Sequence, residues 1–114
     1  MNHPNSRPRR NRKSPVTRTF ARETWLEPGH FIYPLFFHGG TSNSPIVSMP
    51  GCERHTFDSL YRESEGALED GIGCVVLFPK VDDRHKTETA ERAHHPDGLV
   101  PRAIRGLKER FGDD

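Results

Sequence analysis

The apolar residues of this chain fall into separated patches, and the spacing within each patch predicts a different element. Phe31 to Phe37 is a continuous aromatic and β-branched run between Pro28-Gly29 and Gly39-Gly40. It predicts a strand over residues 30–38, with Pro34 removing one ladder donor. Phe57, Leu60, Tyr61, Ser64 and Leu68 instead recur at helical spacing with acids on the other side, which predicts an amphipathic helix over residues 57–70. Thr56 is placed to cap its start and Gly71 to stop it. Residues 74–78 form a second apolar run of strand length, the pattern of a parallel strand buried on both faces, with Cys74 as a small core residue. Val100, Ile104, Leu107 and Phe111 repeat at i, i+4, i+7 and i+11 and predict another helix, capped by Asp97, with Pro101 in its first turn and Gly112 at its end.

Phe20, Trp25 and Leu26 predict a short helix within residues 17–26, and Met49-Pro50-Gly51 predicts a tight turn. Residues 80–95 read as a long polar loop. Residues 1–15 carry Pro, Arg, Asn and Ser with almost no apolar side chain, so they read as an arm without a fold of its own. The order is arm, β, loop, α, β, long loop, α. That alternation implies an α/β fold with parallel, right-handed wiring.

Composition sharpens the picture. The chain has 114 residues, of which 32% are hydrophobic and 29% charged, so its core is modest. The formal charge of +1 conceals a division, because residues 1–22 hold seven of the seventeen basic residues and no acid. The remaining ten basic residues face all sixteen acids. A basic arm on an acidic body suits docking onto a phosphate-bearing partner or onto another acidic body, a copy of itself included. Cys52 and Cys74 lack the spacing of a disulfide framework or a compact cysteine zinc site, and no secretory signal precedes them, so a reduced cytoplasmic protein is expected. No apolar run approaches the roughly 20 residues of a membrane span.

A series of short segments then resembles a known family. RPRRNRKSP (7–15), RET (22–24), IYPLF (32–36), SMPG (48–51), DSL (58–60), LFP (77–79), PDGLV (96–100) and RAIRGLKERF (102–111) are similar, in order, to the N-terminal third of porphobilinogen synthase, also called delta-aminolevulinic acid dehydratase. The resemblance implies a TIM (βα)8 barrel of which this chain holds an N-terminal arm, residues 1–27, and the first two βα units, residues 28–114, the barrel being incomplete. It implies a lyase of haem and tetrapyrrole biosynthesis that condenses two 5-aminolevulinate molecules into porphobilinogen. It also implies two Schiff-base lysines and a zinc or magnesium ion, all beyond Asp114, so the 114 residues alone are expected to be inactive and poorly folded. By the same resemblance the arm packs on a neighbouring subunit of a homo-octamer, which assigns Arg7, Arg9, Arg10, Arg12 and Phe20 to the subunit interface, and Phe78 lines the substrate pocket.

Other candidates have plainer readings. Lys80 follows the second strand at a barrel's carboxyl mouth, yet Asp82 and Asp83 beside it favour an exposed lysine over a Schiff base; Lys86 and Lys108 read as solvent-facing. His85, His94 and His95 with Asp82, Asp83, Glu88 and Asp97 could supply metal ligands, but adjacent histidines cannot aim at one ion as an i, i+4 pair does, so a solvated loop is the better reading. A second functional class is a small interaction module whose basic arm binds RNA or an acidic protein surface; the arm lacks the aromatic platforms of a single-strand binder.

Overall fold

The computed structural model describes residues 9–112. In chain order it forms α1 (Pro15–Phe20), β1 (Ile32–Phe37), β2 (Ser44–Pro45), β3 (Glu53–Arg54), α2 (Phe57–Glu69), β4 (Cys74–Pro79) and α3 (Leu99–Phe111), with short 3-10 turns between them. β1 and β4 pair in parallel, from Ile32 opposite Cys74 to Phe37 opposite Pro79. β2 and β3 make a small antiparallel ribbon. The ribbon is tied to β1 where the His55 N–H donates to the Phe36 carbonyl at 2.8 Å and the His38 N–H donates to the His55 carbonyl at 3.0 Å.

Side-chain alternation decides where the core sits. Leu35 and Phe37 of β1 are fully buried and pack with Leu60 of α2 and Ala103 of α3, with Tyr33, Val75 and Leu77 against them. These odd-numbered positions face the helices. The even-numbered side chains face away, and there Ile32 is 61%, Val76 37% and Phe78 46% exposed. The expectation that β4 is buried on both faces is therefore corrected, and so is the core role of Cys74, which is exposed. Both helices lie on one side of the two strands, so only that side is covered.

α2 follows the sequence closely. The Thr56 side chain accepts from the Ser59 N–H at 3.3 Å, and Gly71 turns the chain with φ of 87°, a left-handed conformation glycine adopts without cost. α3 departs from it. Its N-cap is Gly98 with no side-chain cap, and the Asp97 N–H is turned onto His95 Nδ1 at 3.1 Å, so the expected Asp97 cap is not formed. Space explains the glycine, since a Cβ there would lie 2.4 Å from the Arg92 carbonyl oxygen. The buried seam of α3 centres on Ala103, while Ile104 is 44% exposed. Small residues face the sheet and α2 because the helices approach closely; a Cβ on Gly106 would lie 2.0 Å from the Tyr61 hydroxyl.

The short N-terminal helix also begins earlier than the apolar spacing indicates. Ser14 and Thr17 form a reciprocal capping box, Pro15 occupies the first turn, and α1 ends at Phe20, leaving Trp25 and Leu26 outside it. The Arg22 guanidinium sits 5.5 Å from the Trp25 ring centre. α1 packs chiefly on the Arg9–Arg12 turn before it, which gives the arm a local fold that composition did not indicate. The molecule is elongated, 63 × 31 × 27 Å, with a radius of gyration of 21.2 Å where a compact domain of 100 residues has about 13 Å.

Candidate functional site

The carboxyl ends of β1 and β4 open onto two adjoining cavities. One, of about 500 Å³, lies over the outward face of the strands and is lined by Phe36, Arg54, Phe78, Lys80, Lys86 and Arg92 among others. Its floor is the pair Phe36 and Phe78, stacked with ring centres 5.2 Å apart and planes 21° apart. Register produces this pair, because Phe36 and Phe78 are direct partners in the parallel ladder and their side chains share a face. The other cavity, of about 870 Å³, runs between the 38–44 loop, the 80–86 loop and the start of α3, and is lined by His38, Lys80, Arg92, Asp97 and Arg102 among others.

A polar cluster, buried at His55 and Ser59, anchors the ribbon that carries Arg54. The Thr56 N–H donates to Asn43 Oδ1 at 3.0 Å, which orients the amide so that Asn43 Nδ2 donates to Glu53 Oε1 at 2.7 Å and to Ser59 Oγ at 2.9 Å. Ser59 Oγ lies 2.9 Å from His55 Nδ1, and both residues are buried. The cluster pins the ribbon to α2. Glu53 and His55 thereby turn inward, and Arg54 between them faces the opposite side, where it lines the aromatic-floored cavity.

The far wall is the segment after β4. Glu91 accepts hydrogen bonds from the hydroxyls of Thr87 and Thr89, and these bonds, in that order of effect, lower its pKa from 4.5 to about 2. Ala90 has φ of 50°, the one left-handed residue other than glycine among the described residues. The turn so formed carries Arg92 to the rim. The acids nearby hold their own partners, Asp83 with Lys86 at 2.6 Å and Asp82 with Arg84 at 3.5 Å.

Of the site residues indicated by the sequence, Phe78 lies on the cavity floor. Arg9, Arg10 and Arg12 are all exposed on the turn before α1, the Arg12 carbonyl accepting from Arg18 Nη1 at 3.1 Å, and Phe20 is 87% exposed at the end of α1. Arg7 lies outside the described residues. Arg9, Arg10, Arg12 and Phe20 line neither cavity. Lys80 is exposed and lines both cavities. Among the described residues no three His, Cys, Asp or Glu side chains converge as a metal site. No helix of the described residues is long and apolar enough to cross a membrane. Sequence reasoning missed Arg54, Arg92 and the Asn43, Ser59, His55 cluster. The alternation Glu53, Arg54, His55 carried the signal for Arg54, but two strand residues are too few to reveal a period.

The family model for delta-aminolevulinic acid dehydratase matches residues 5–114. The chain belongs to the delta-aminolevulinic acid dehydratase family. It is 52% identical over 109 residues to the chloroplastic delta-aminolevulinic acid dehydratase of Selaginella martensii, covering 95% of this chain and 26% of that one. The chloroplastic enzyme of Physcomitrium patens is 50% identical, with 95% and 25% covered. The crystal structure of delta-aminolevulinic acid dehydratase from Toxoplasma gondii ME49, in complex with the reaction product porphobilinogen, superposes with a TM-score of 0.87 at 47% identity, over 95% of this chain and 31% of that one. The chain thus spans about a quarter of the length of these curated dehydratases. The expectation of a cytoplasmic protein is overturned, since the plant dehydratases it matches are chloroplastic. Two unpaired cysteines do not discriminate between a cytosol and an organelle.

Proposed function

We propose that these residues are the N-terminal arm and the first two βα units of a TIM-barrel porphobilinogen synthase, which condenses two 5-aminolevulinate molecules into porphobilinogen for tetrapyrrole synthesis. The observation that carries this reading is the superposition of almost the whole segment on a dehydratase holding that product. On this reading residues 1–27 are the arm, and β1, α2, β4 and α3 are the first strands and helices of the barrel. Phe78 then forms part of the substrate pocket at the carboxyl mouth, where barrel enzymes place their chemistry. The Schiff-base lysines and the zinc or magnesium ion come from later parts of the barrel, so the 114 residues alone are inactive.

The same reading gives the arm its partner. Phe20 and the arginines Arg7, Arg9, Arg10 and Arg12 contact a neighbouring subunit of a homo-octamer, with guanidinium groups paired to carboxylates of the acidic body. Support comes from Val16, Phe20 and Leu26, which are 63%, 87% and 77% exposed among the described residues. The test is to express the full-length protein carrying these residues and assay pyrrole formation from 5-aminolevulinate. Formation of porphobilinogen is expected from that protein and none from residues 1–114 alone. A full-length protein that consumes no 5-aminolevulinate under any zinc or magnesium supply overturns the assignment.

A further inference from the structure

Every residue from His38 to Ser44 lines the cavity of about 870 Å³ except Asn43. Its carboxamide is engaged elsewhere, at the start of α2. There the Thr56 N–H donates to Asn43 Oδ1 at 3.0 Å, while Thr56 Oγ1 accepts from the Ser59 N–H at 3.3 Å. In a capping box the third helical residue would accept the N-cap N–H with its own side chain. Here that residue is Ser59, and its hydroxyl is taken by His55 Nδ1 and Asn43 Nδ2, each at 2.9 Å. The acceptor comes instead from Asn43, 13 residues upstream on the loop after β1.

The ends of that loop are held by one short stretch, residues 53–56. At the start the His38 N–H donates to the His55 carbonyl at 3.0 Å and the Gly40 N–H to His38 Nδ1 at 2.7 Å; at the end Ser44 pairs with Arg54. Asn43 ties the loop to Glu53 of the ribbon and to Thr56 and Ser59 of α2 at once. A carboxamide suits the place because it carries an acceptor and two donors on one planar head, whereas a carboxylate has no donor to offer Glu53. Each of these bonds is made inside the segment itself. We infer that Asn43 is a positioning residue for the condensation: it completes the cap of α2 from the mouth loop and so sets the wall that residues 38–44 present to the reactants. The inference rests on the function proposed above, which makes the carboxyl ends of β1 and β4 part of the reacting face.

The test is kcat/KM for pyrrole formation from 5-aminolevulinate by the full-length protein. Asn43→Asp keeps the acceptor for Thr56 but puts a carboxylate oxygen where Nδ2 now meets Glu53 Oε1 at 2.7 Å. It should lower kcat/KM roughly 10- to 100-fold, the scale of a small misplacement at a reacting centre. Two carboxylates so close cannot both ionise, so the deficit against wild type should shrink as pH falls and one proton is shared. His55 Nδ1, 3.8 Å from Glu53 Oε1, is the other titratable group facing the pair, and its protonation acts in the same direction. Adding Glu53→Gln restores a donor across the gap and should return kcat/KM to within about threefold of wild type. Asn43→Ala, which adds no charge, should also lower kcat/KM and should speed hydrogen exchange at the Gly40 and Thr56 amides roughly tenfold or more. If Asn43→Asp does not fold, Asn43→Ala and the double variant carry the test. A purely structural tie would lower the melting temperature and leave kcat/KM and its pH profile unmoved. Wild-type kcat/KM in the folded single variants therefore overturns the positioning role, as does a deficit that Glu53→Gln leaves in place. A wild type that forms no pyrrole ends the functional reading and the positioning role together, while faster exchange in Asn43→Ala still keeps the tie between loop and helix. Pyrrole formation with unchanged exchange and unchanged kcat/KM in Asn43→Ala keeps the functional reading and removes the inference.

Discussion

Two glycines of the helical layer make opposite demands. Gly66 lies inside α2 with open space where a Cβ would stand, whereas Gly106 of α3 faces the Tyr61 ring, with its hydroxyl 2.0 Å and its Cζ 2.5 Å from a built Cβ. Gly66→Ala should raise stability by about 0.5–1 kcal/mol, because alanine loses less backbone entropy in a helix. Gly106→Ala should lower it by about 1–3 kcal/mol, because the ring must leave its place between the helices. Denaturant midpoints of the two variants should therefore move in opposite directions. At the rim, Glu91 is held as a carboxylate by the Thr87 and Thr89 hydroxyls, with its pKa lowered to about 2. A lowered carboxylate pKa stabilises the folded turn fully above the unfolded value near 4.5 and loses that support as pH falls through about 2. The Glu91 side-chain carboxyl NMR shift should hold nearly constant down to about pH 3 and then move with a midpoint near pH 2; a midpoint near the ordinary 4.5 would remove the hydroxyl cap as a stabiliser of the carboxylate.

At the level of elements, the sequence showed β1, β4 and the long helices clearly, their ends less so, and the β2–β3 ribbon not at all. The period of Phe57, Leu60, Ser64 and Leu68 and the cap at Thr56 both point to α2, and local and tertiary preferences agree there. At α3 they diverge, because the turn of residues 92–98 folds the Arg92 and His95 carbonyls against Gly98, a conformation that apolar periodicity does not record. The arm shows the reverse case. Ser14-Pro15 is a legible start signal, outweighed in sequence by the larger but unpacked Trp25 and Leu26. A direct contrast follows. Thr56→Ala should cost about 1 kcal/mol by removing the N-cap bond, while Asp97→Ala should stay within about 0.5 kcal/mol of wild type. A large loss at Asp97 in thermal melts would show a contact of its side chain that the cap geometry does not contain.

At the scale of the whole molecule, the parallel pair of strands reached the right register but only one of its faces is covered. The alternation of inward Leu35 and Phe37 with outward Ile32 and Phe36 was not legible in the sequence, because a continuous apolar run looks the same whether one face is buried or two. Residues 1–114 alone, with Ile32, Val76 and Phe78 open to water and Val16, Phe20 and Leu26 open on the arm, should associate. Sedimentation of the isolated segment is expected to show a mass that grows with concentration; a single monomeric species with a cooperative melt would contradict this. The kind of association is set by the ladder. The Phe37 carbonyl faces β4, accepting from the Lys80 N–H at 2.8 Å, while the Phe36 carbonyl faces the other way to His55. By that alternation Pro34 lies on the free edge of β1 and Pro79 on the free edge of β4. Each open edge therefore lacks a donor where another strand would seek one, and indefinite cross-β stacking is interrupted on both sides. Molecules that stick through their aromatic faces should form finite clusters that leave amyloid dyes dark.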